Sequence, residues 1–547
     1  MDQEIKEQAA KISVPIEDFI RAVEAETARR QAEKPSPTGA GAEGKEANQI
    51  AFWYEKIRTA IDYREEHLLR RAASRRILKR LFIFEGRRTG VADVLLKELV
   101  MGGYVKKEDL TENKFQLVDA ALEKYCYALS LVERSFSLSD NSTAEKKRWL
   151  TTLASFEVEE ILYPMPERRT LVNAMFKILS PRVDINQRSI TDQQKDFHVY
   201  IAIYRSLMKA DRAMVASEIF NLYFPEWMAN PARSRIEEIM GGIDKVVATI
   251  YAQATDEITN KVFHALKKQT FFASILCEIA EENKDDLRGI VNQEYILREF
   301  VKRKVEEHYD RVNKKLQKRI SRGIIYIFIT KMLLALVLEV PYEKYFEGTI
   351  NYTALAINLF FPPAFMVFLA KSAKFPTANS VEATISGVEN LVYDTPHQDD
   401  IKKIAIRTAT GGFTDSALNV LYFFVFTAVF GGLIWMLHFF DFDIVSGGIF
   451  FLFMCTVSFF GALIRQSVRD LSIVREKEGL FSLFFDTMLL PFVRFGRWLS
   501  TNFSKVNVFM FLLDVIIEAP FKMIIRLFEA WIDFLRRKRE EIDQQFG

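Results

Sequence analysis

Up to Arg322 the apolar positions recur three and four residues apart, in runs separated by Gly and Pro (Gly102-Gly103, Pro164, Pro166, Pro181, Pro225, Pro231). That spacing is the signature of one apolar helical face, and Gly and Pro mark the breaks. It predicts helices over 53–82, 91–101, 115–134, 143–162, 192–209, 213–223 and 233–262. No sustained two-residue alternation appears, so the segment 49–284 reads as an all-α domain. Residues 1–31 have helical composition. Residues 32–48, rich in Pro, Gly and Ala with few large apolar side chains, read as a disordered linker. From 285 to 322 the pattern predicts one long basic helix that runs on into the apolar text.

After Arg322 the pattern changes. An α-helical span needs about 20 apolar residues to cross about 30 Å of hydrocarbon. Four segments qualify, 323–340, 354–370, 417–440 and 445–464, within a membrane domain over 323–470 whose inner loop is 371–416. Of the 47 Phe residues, 32 fall in the last 225 positions. Two further stretches, 480–499 and 506–535, are apolar but carry charges. In the second, Asp514, Glu518, Lys522, Arg526, Glu529 and Asp533 are spaced four, four, four, three and four. At about 100° per residue they form one polar stripe opposite a Phe, Leu, Ile and Trp face. The segment 471–547 is therefore expected to hold amphipathic helices in the plane of the membrane surface, with Pro520 kinking the second. The alternative is two more spans whose charged faces meet inside a bundle.

Charge sets the orientation. Between Lys302 and Arg322 there are nine basic and three acidic residues, and Lys371, Lys374, Arg465 and Arg469 follow the second and fourth segments. The link Asp441-Phe-Asp443-Ile carries no base. By the positive-inside rule both termini are expected in the cytoplasm of a bacterial inner membrane. The start, Met1-Asp-Gln-Glu-Ile-Lys, lacks a basic stretch followed by an apolar one, so insertion is expected to use an internal span. Overall charge is +2, from 74 basic and 72 acidic residues, too balanced to point to nucleic acid. Cys126, Cys277 and Cys455 have neither disulfide-framework nor metal spacing, which suits a reducing compartment.

Candidate chemistry is sparse. Lys331 lies near the middle of its span, about 12 Å from either end at 1.5 Å per residue. A charge there needs a partner or water, and Asp486, Asp514 and Glu518 are the candidate partners. Pro362-Pro363 removes two backbone donors and is expected to break or kink the second span, as a broken helix lining a cavity or as a re-entrant hairpin. Gly431-Gly432 and Gly447-Gly448 suggest a close helical hairpin. The histidines form no HExxH pair; Glu306-Glu307-His308 and His397-Gln-Asp399-Asp400 read as solvated polar faces. Gly86-Arg-Arg-Thr-Gly90 reads as a basic turn. No P-loop, dinucleotide, GxSxG or CxxC motif is present, and no cofactor or metal is expected.

The strings IIYIFITKMLLALVLEVP (324–341), INLFFPPAFM (357–366) and NVFMFLLDVIIEAPFK (507–522) resemble a group of uncharacterised polytopic membrane proteins of small-genome bacteria. The resemblance implies an inner-membrane location and adds no mechanism. Two function classes remain. One is a membrane-anchored scaffold whose helical domain binds a protein partner while the Phe-rich helices hold the bilayer. The other is an ion, solute or polypeptide conduit lined by Lys331 and the Pro362-Pro363 break, and four spans would then call for a homo-oligomer. A lipid-directed enzyme comes third.

Overall fold

The computed structural model describes residues 11–32, 66–135, 141–186, 190–334, 339–347, 351–372, 378–393, 404–407, 413–471 and 480–505. The chain is all-α apart from one small sheet, and it divides into two compact units. The linker 32–48, the charged stripe of 514–533 and the basic residues 536–539 lie outside the described residues.

The first unit comprises residues 1–307 and 381–410. Its helices are α1 (Val14–Ala32), α2 (Glu66–Lys79), α3 (Val91–Met101), α4 (Glu112–Ser135), α5 (Asn141–Leu162) and α6 (Pro166–Leu179). After strand β1 (Val183–Asn186) follow α7 (Asp192–Leu207), α8 (Arg212–Tyr223), α9 (Arg233–Gly241), α10 (Ile243–Ala254), α11 (Glu257–Glu282) and α12 (Leu287–Asn292). The expected helix 233–262 is in fact three. The Gly241-Gly242 pair interrupts it first, because Gly is poorly held in a helix. Asp256 interrupts it again by accepting hydrogen bonds from the Ile258 and Thr259 amides and so starting α11 afresh. Of the expected helix 53–82, the described part is α2 followed by a π turn over Arg80–Phe84.

The core of this unit is large and aromatic. Trp149, Trp227, Tyr125, Tyr204 and Phe220 are all buried, with Trp227 meeting Tyr125 and Phe220 edge to face. Helix α1 presents Ile16, Phe19, Ile20 and Val23, four apart and three apart, and all four are fully buried. Arg288 clamps it from outside by donating to Glu17 and to both oxygens of Glu24.

The segment expected as an inner loop, 371–416, contains structure that belongs to this unit. Helix α15 (Ala378–Val392) and strand β2 (Ile404–Arg407) lie in it. Strand β2 pairs in parallel with β1, Val183 opposite Ile404 through Asn186 opposite Arg407. Gly387 comes so close to the Phe272 ring that a Cβ there would sit 2.3 Å from it. Tyr393 donates to the Val291 carbonyl at 2.8 Å, and the Ser13 amide donates to the Val392 carbonyl at 2.8 Å. The two halves of the sheet are more than 200 residues apart in sequence.

The long helix begins later than the sequence pattern suggests and, as expected, continues into the apolar text. Gln293 is extended, so α12 stops there, and α13 (Glu294–Leu334) then runs unbroken through Arg322 into the apolar text.

The second unit comprises residues 308–380 and 411–547. It contains the C-terminal part of α13, then α14 (Tyr352–Lys371), α16 (Phe413–Phe439), α17 (Ile444–Leu471) and α18 (Leu480–Lys505). Three helical stretches, Tyr352–Lys371, Tyr422–Phe439 and Ile444–Gln466, are long and apolar enough to cross a membrane. The fourth predicted span, 323–340, is helical to Leu334, and the chain is described again from Glu339. Gly323 approaches Met366, while Phe361 and Leu369 of α14 meet Phe450 and Gly461 of α17, so α14 and α17 run in parallel.

Helix α18 packs along α17. Moving from Asp486 to Gly496 along α18, its partner on α17 recedes from Arg465 to Cys455, ten residues for ten. The two helices are therefore antiparallel along most of their length. Phe492 sits between Phe430 and Phe451, and Phe495 meets Phe451 at 5.1 Å. The close approaches differ from those expected. Around Gly431, Gly432 and Gly448 nothing lies within 4 Å of an added Cβ. A Cβ at Gly496 would instead sit 2.3 Å from the Cys455 carbonyl oxygen, and one at Gly461 would sit 2.5 Å from Leu369.

Replacing Gly496 by Ala should therefore lower the melting temperature of the detergent-purified protein, with an overpacking cost of about 1–3 kcal/mol. Gly448→Ala, in open space on α17, should leave it unchanged or raise it slightly. Equal behaviour of the two variants would refute the α17–α18 packing.

Candidate functional site in the apolar helices

Lys331, two-thirds of the way along an apolar face, is fully buried, and so are Glu339 and Asn358. Its ammonium donates to Glu339 Oε1 at 2.9 Å and lies 4.9 Å from the centre of the Phe453 ring. The Asn358 amide nitrogen donates to the same Glu339 oxygen at 2.8 Å and to the Ser446 carbonyl at 3.2 Å. Because both partners are acceptors, the orientation of the Asn358 amide is fixed. The Glu339 carboxylate thus ties α13 to α14, and Asn358 carries the link on to the start of α17.

The network continues toward the α16–α17 link. The Asn351 amide donates to Glu343 Oε2 at 3.0 Å, and Ser446 Oγ lies 3.5 Å from Glu343 Oε1. Asn351 caps α14 by accepting from the Thr353 and Ala354 amides, and its own amide group donates to the carbonyls of Phe440 and Asp441. Asp443 caps α17 through the Val445 and Ser446 amides. The acidic link therefore has a local role that its residue types announce, since Asp and Asn are the preferred caps.

Among the described residues two buried acceptors in this cluster have no hydrogen-bond partner, Glu339 Oε2 and Asn358 Oδ1. Pro362 and Pro363 both sit inside a continuous α14, so the helix is not broken. The proline ring suits the helical φ, and what it removes is the N–H. The carbonyls of Asn358 and Leu359 consequently lose their helical donors.

Of the partners expected for Lys331, Asp486 is engaged elsewhere, by Arg465 Nη1. Asp514 and Glu518 lie outside the described residues, as do Lys522, Arg526, Glu529 and Asp533. The partner is Glu339, eight residues on, at the far end of the same predicted span. By sequence its place among the last residues of an apolar run marks it as an interfacial acid, yet it is fully buried.

The first unit offers less chemistry. A cleft of about 500 Å³ is lined by Glu145, Lys146, Arg212, Ala213, Asp244, Val247, Ala248 and Tyr251. Its charges are mixed, Lys146 pairs with Asp244 at 2.8 Å, and the lining holds no nucleophile with a base beside it. His198 hydrogen-bonds Thr259 at 2.8 Å and is held neutral by burial, which lowers its pKa against the pull of Asp256. Burial pushes the Cys126 thiol up to about 11 and that of Cys277 higher still, the opposite of an activated thiol. Arg88, in the turn between Gly86 and Gly90, is committed to the Phe82 carbonyl and Glu133. Among the described residues no cluster of three His, Cys, Asp or Glu side chains is arranged to hold a metal ion.

Compared with family models, curated proteins and solved structures, the chain matches none. The resemblance read from 324–366 and 507–522 therefore rests on the sequence alone.

Removing one member of a buried ion pair leaves the other uncompensated and costs about 3–5 kcal/mol. Lys331→Met and Glu339→Leu should each destabilise the detergent-purified protein strongly. The double variant should recover a large part of that loss in thermal unfolding. Additive losses would show that the two residues do not act as a pair.

Proposed function

We propose that the chain is a multi-pass protein of a bacterial inner membrane, acting as a non-enzymatic scaffold whose helical unit stands in the cytoplasm and binds a protein partner. The observation that carries this reading is the return of the chain to its own first unit. The polypeptide leaves that unit after Glu307 and rejoins it at Val381, where α15 and β2 are integral parts of its fold. A chain that leaves and rejoins one body crosses a membrane an even number of times in between. Helix α14 supplies one crossing by length and composition. In this reading the apolar end of α13, helical from Gly323 to Leu334, begins the other.

The burial of Lys331 supports a structural role for its charge. Both members of its ion pair are fully buried, which suits a clamp between helices better than a wall of an open path. The helical unit, in turn, has its interior charges matched: Lys124 donates to Glu157 and to the Trp227 carbonyl, and Tyr125 takes the second Glu157 oxygen. Such a body suits binding through its surface rather than chemistry in its interior.

In this reading α18, lying along α17, crosses the membrane as well. A conduit has one observation in its favour. Arg494 and Arg497 are exposed on α18 level with the middle of α17, and Glu339 Oε2 and Asn358 Oδ1 lack donors.

Labelling with a membrane-impermeant maleimide tests the threading, using single cysteines in a chain freed of its native ones. Lys371→Cys should label only from the cytoplasmic side, and Ile444→Cys and Ser500→Cys only from the periplasmic side. Cytoplasmic labelling of Ser500→Cys would return α18 to the inner surface. Flux assays separate the functions: proteoliposomes should show no ion flux above protein-free vesicles. A flux abolished by Lys331→Met, with assembly intact, would replace the scaffold by a conduit.

A further inference from the structure

One exposed face of α13 changes character along its length. Arg311, Lys315, Lys318 and Arg322, spaced four, three and four, are all exposed and fall within an arc of about 60°. The same face then continues as Ile325, Tyr326, Ile329 and Met332, which are 56%, 56%, 58% and 46% exposed. The change from wholly basic to wholly apolar occurs between Arg322 and Ile325, within one helical turn. Among the described residues none of the four basic side chains is in an ion pair. The nearby Asp310 is taken by Lys314, which lies off the stripe.

Other elements share this boundary. Gly323 packs beside Met366, so Lys371, five residues further along α14 and exposed, emerges at the same end of the unit as Arg322. Leu369 packs on Gly461, which brings Arg465 to that end too. The basic stripe is about 16 Å long at 1.5 Å per residue. A headgroup layer is about 5–8 Å deep, and the field of a charged leaflet extends about 8 Å further at physiological ionic strength. The stripe matches the sum of the two.

We propose that the basic half of this face is a binding surface for anionic phospholipid headgroups of the cytoplasmic leaflet. The inference rests on the membrane-spanning reading above and adds a lipid specificity to it. Each basic side chain contributes through its charge and the phosphate oxygens it reaches, so the surface selects anionic over zwitterionic lipid rather than one particular headgroup. Tyr326, at the change of character, has the amphipathic ring that favours the level where headgroups meet hydrocarbon.

The test uses the full chain, purified in mild detergent, given equal amounts of phosphatidylglycerol and phosphatidylcholine, and examined by native mass spectrometry. The wild-type protein should retain phosphatidylglycerol in clear excess. The variant R311Q/K315Q/K318Q/R322Q should lose that excess, with apparent affinity falling about fivefold per charge removed. R311K/R322K, which keeps the charges, should retain it. Unchanged enrichment in the four-site variant, or equal retention of both lipids by the wild type, would overturn the proposal. Alkaline extraction of native membranes is read separately: release of the chain at high pH would remove the spanning reading itself, whatever the lipid result.

Discussion

An ammonium group surrounded by apolar helices is tolerable only if an anion is brought to it, and much of the second unit follows from how this is done for Lys331. The anion is the carboxylate of Glu339, eight residues further along the chain. Asn358 secures the same carboxylate from α14, and its second hydrogen bond holds the first turn of α17. Phe453 closes the remaining side with its ring. Three helices are thus positioned by one charge pair, and apolar packing of Phe, Leu and Val fills the space that remains. Lipid tails offer apolar side chains no preference for protein over bilayer, so polar contacts and close approach decide which helices meet. The tight seats of Gly461 and Gly496 supply the close approach.

The first unit solves the same problem with more donors. Lys124, Glu157, Tyr125 and Trp227 form a closed set, and Arg169 bridges Glu160 and Glu218 while Tyr200 donates to Glu218. Burial by itself would raise the Glu218 pKa, and Arg169 opposes it. These networks fix helix register without leaving acceptors bare. The Glu339 site leaves two bare, and that contrast is what separates it from an ordinary interior ion pair.

Helix positions in the first unit were legible wherever a single apolar face met a cap or a breaker. The span 91–101 is found as α3, and the ends of 143–162 and 213–223 are displaced by at most two residues. The division of 233–262 was missed because the apolar spacing persists across Gly242 and Asp256, and only the cap chemistry of Asp256 announces the second break. Lys331 stood out because one charge interrupts an apolar run. Glu339 did not, because an acid at the end of such a run has an ordinary place in the interface, and its pairing with Lys331 leaves no periodic trace. The tandem prolines, expected to break or kink α14, leave it unbroken, and the sequence could not decide this for a related reason. Sequence shows the lost donors but not the surroundings that let the helix continue. The sheet was invisible: four-residue strands more than 200 positions apart carry too little alternation to register.

That sheet has a consequence for biosynthesis. Strand β2 and helix α15 are translated after α14, the first helix that qualifies by itself to enter a membrane. The first unit therefore cannot complete its fold when its own first 307 residues have emerged. It has to wait for about a hundred more, roughly 5–20 s at ordinary rates of synthesis. During that interval β1 has an open edge, and the Phe272 surface lacks its Gly387 cover. Completion of the first unit is in this way conditional on synthesis of the apolar helix α14 that precedes α15 and β2. A chain in which α14 is misrouted would be left with a recognisably unfinished domain, a ready substrate for proteolytic quality control.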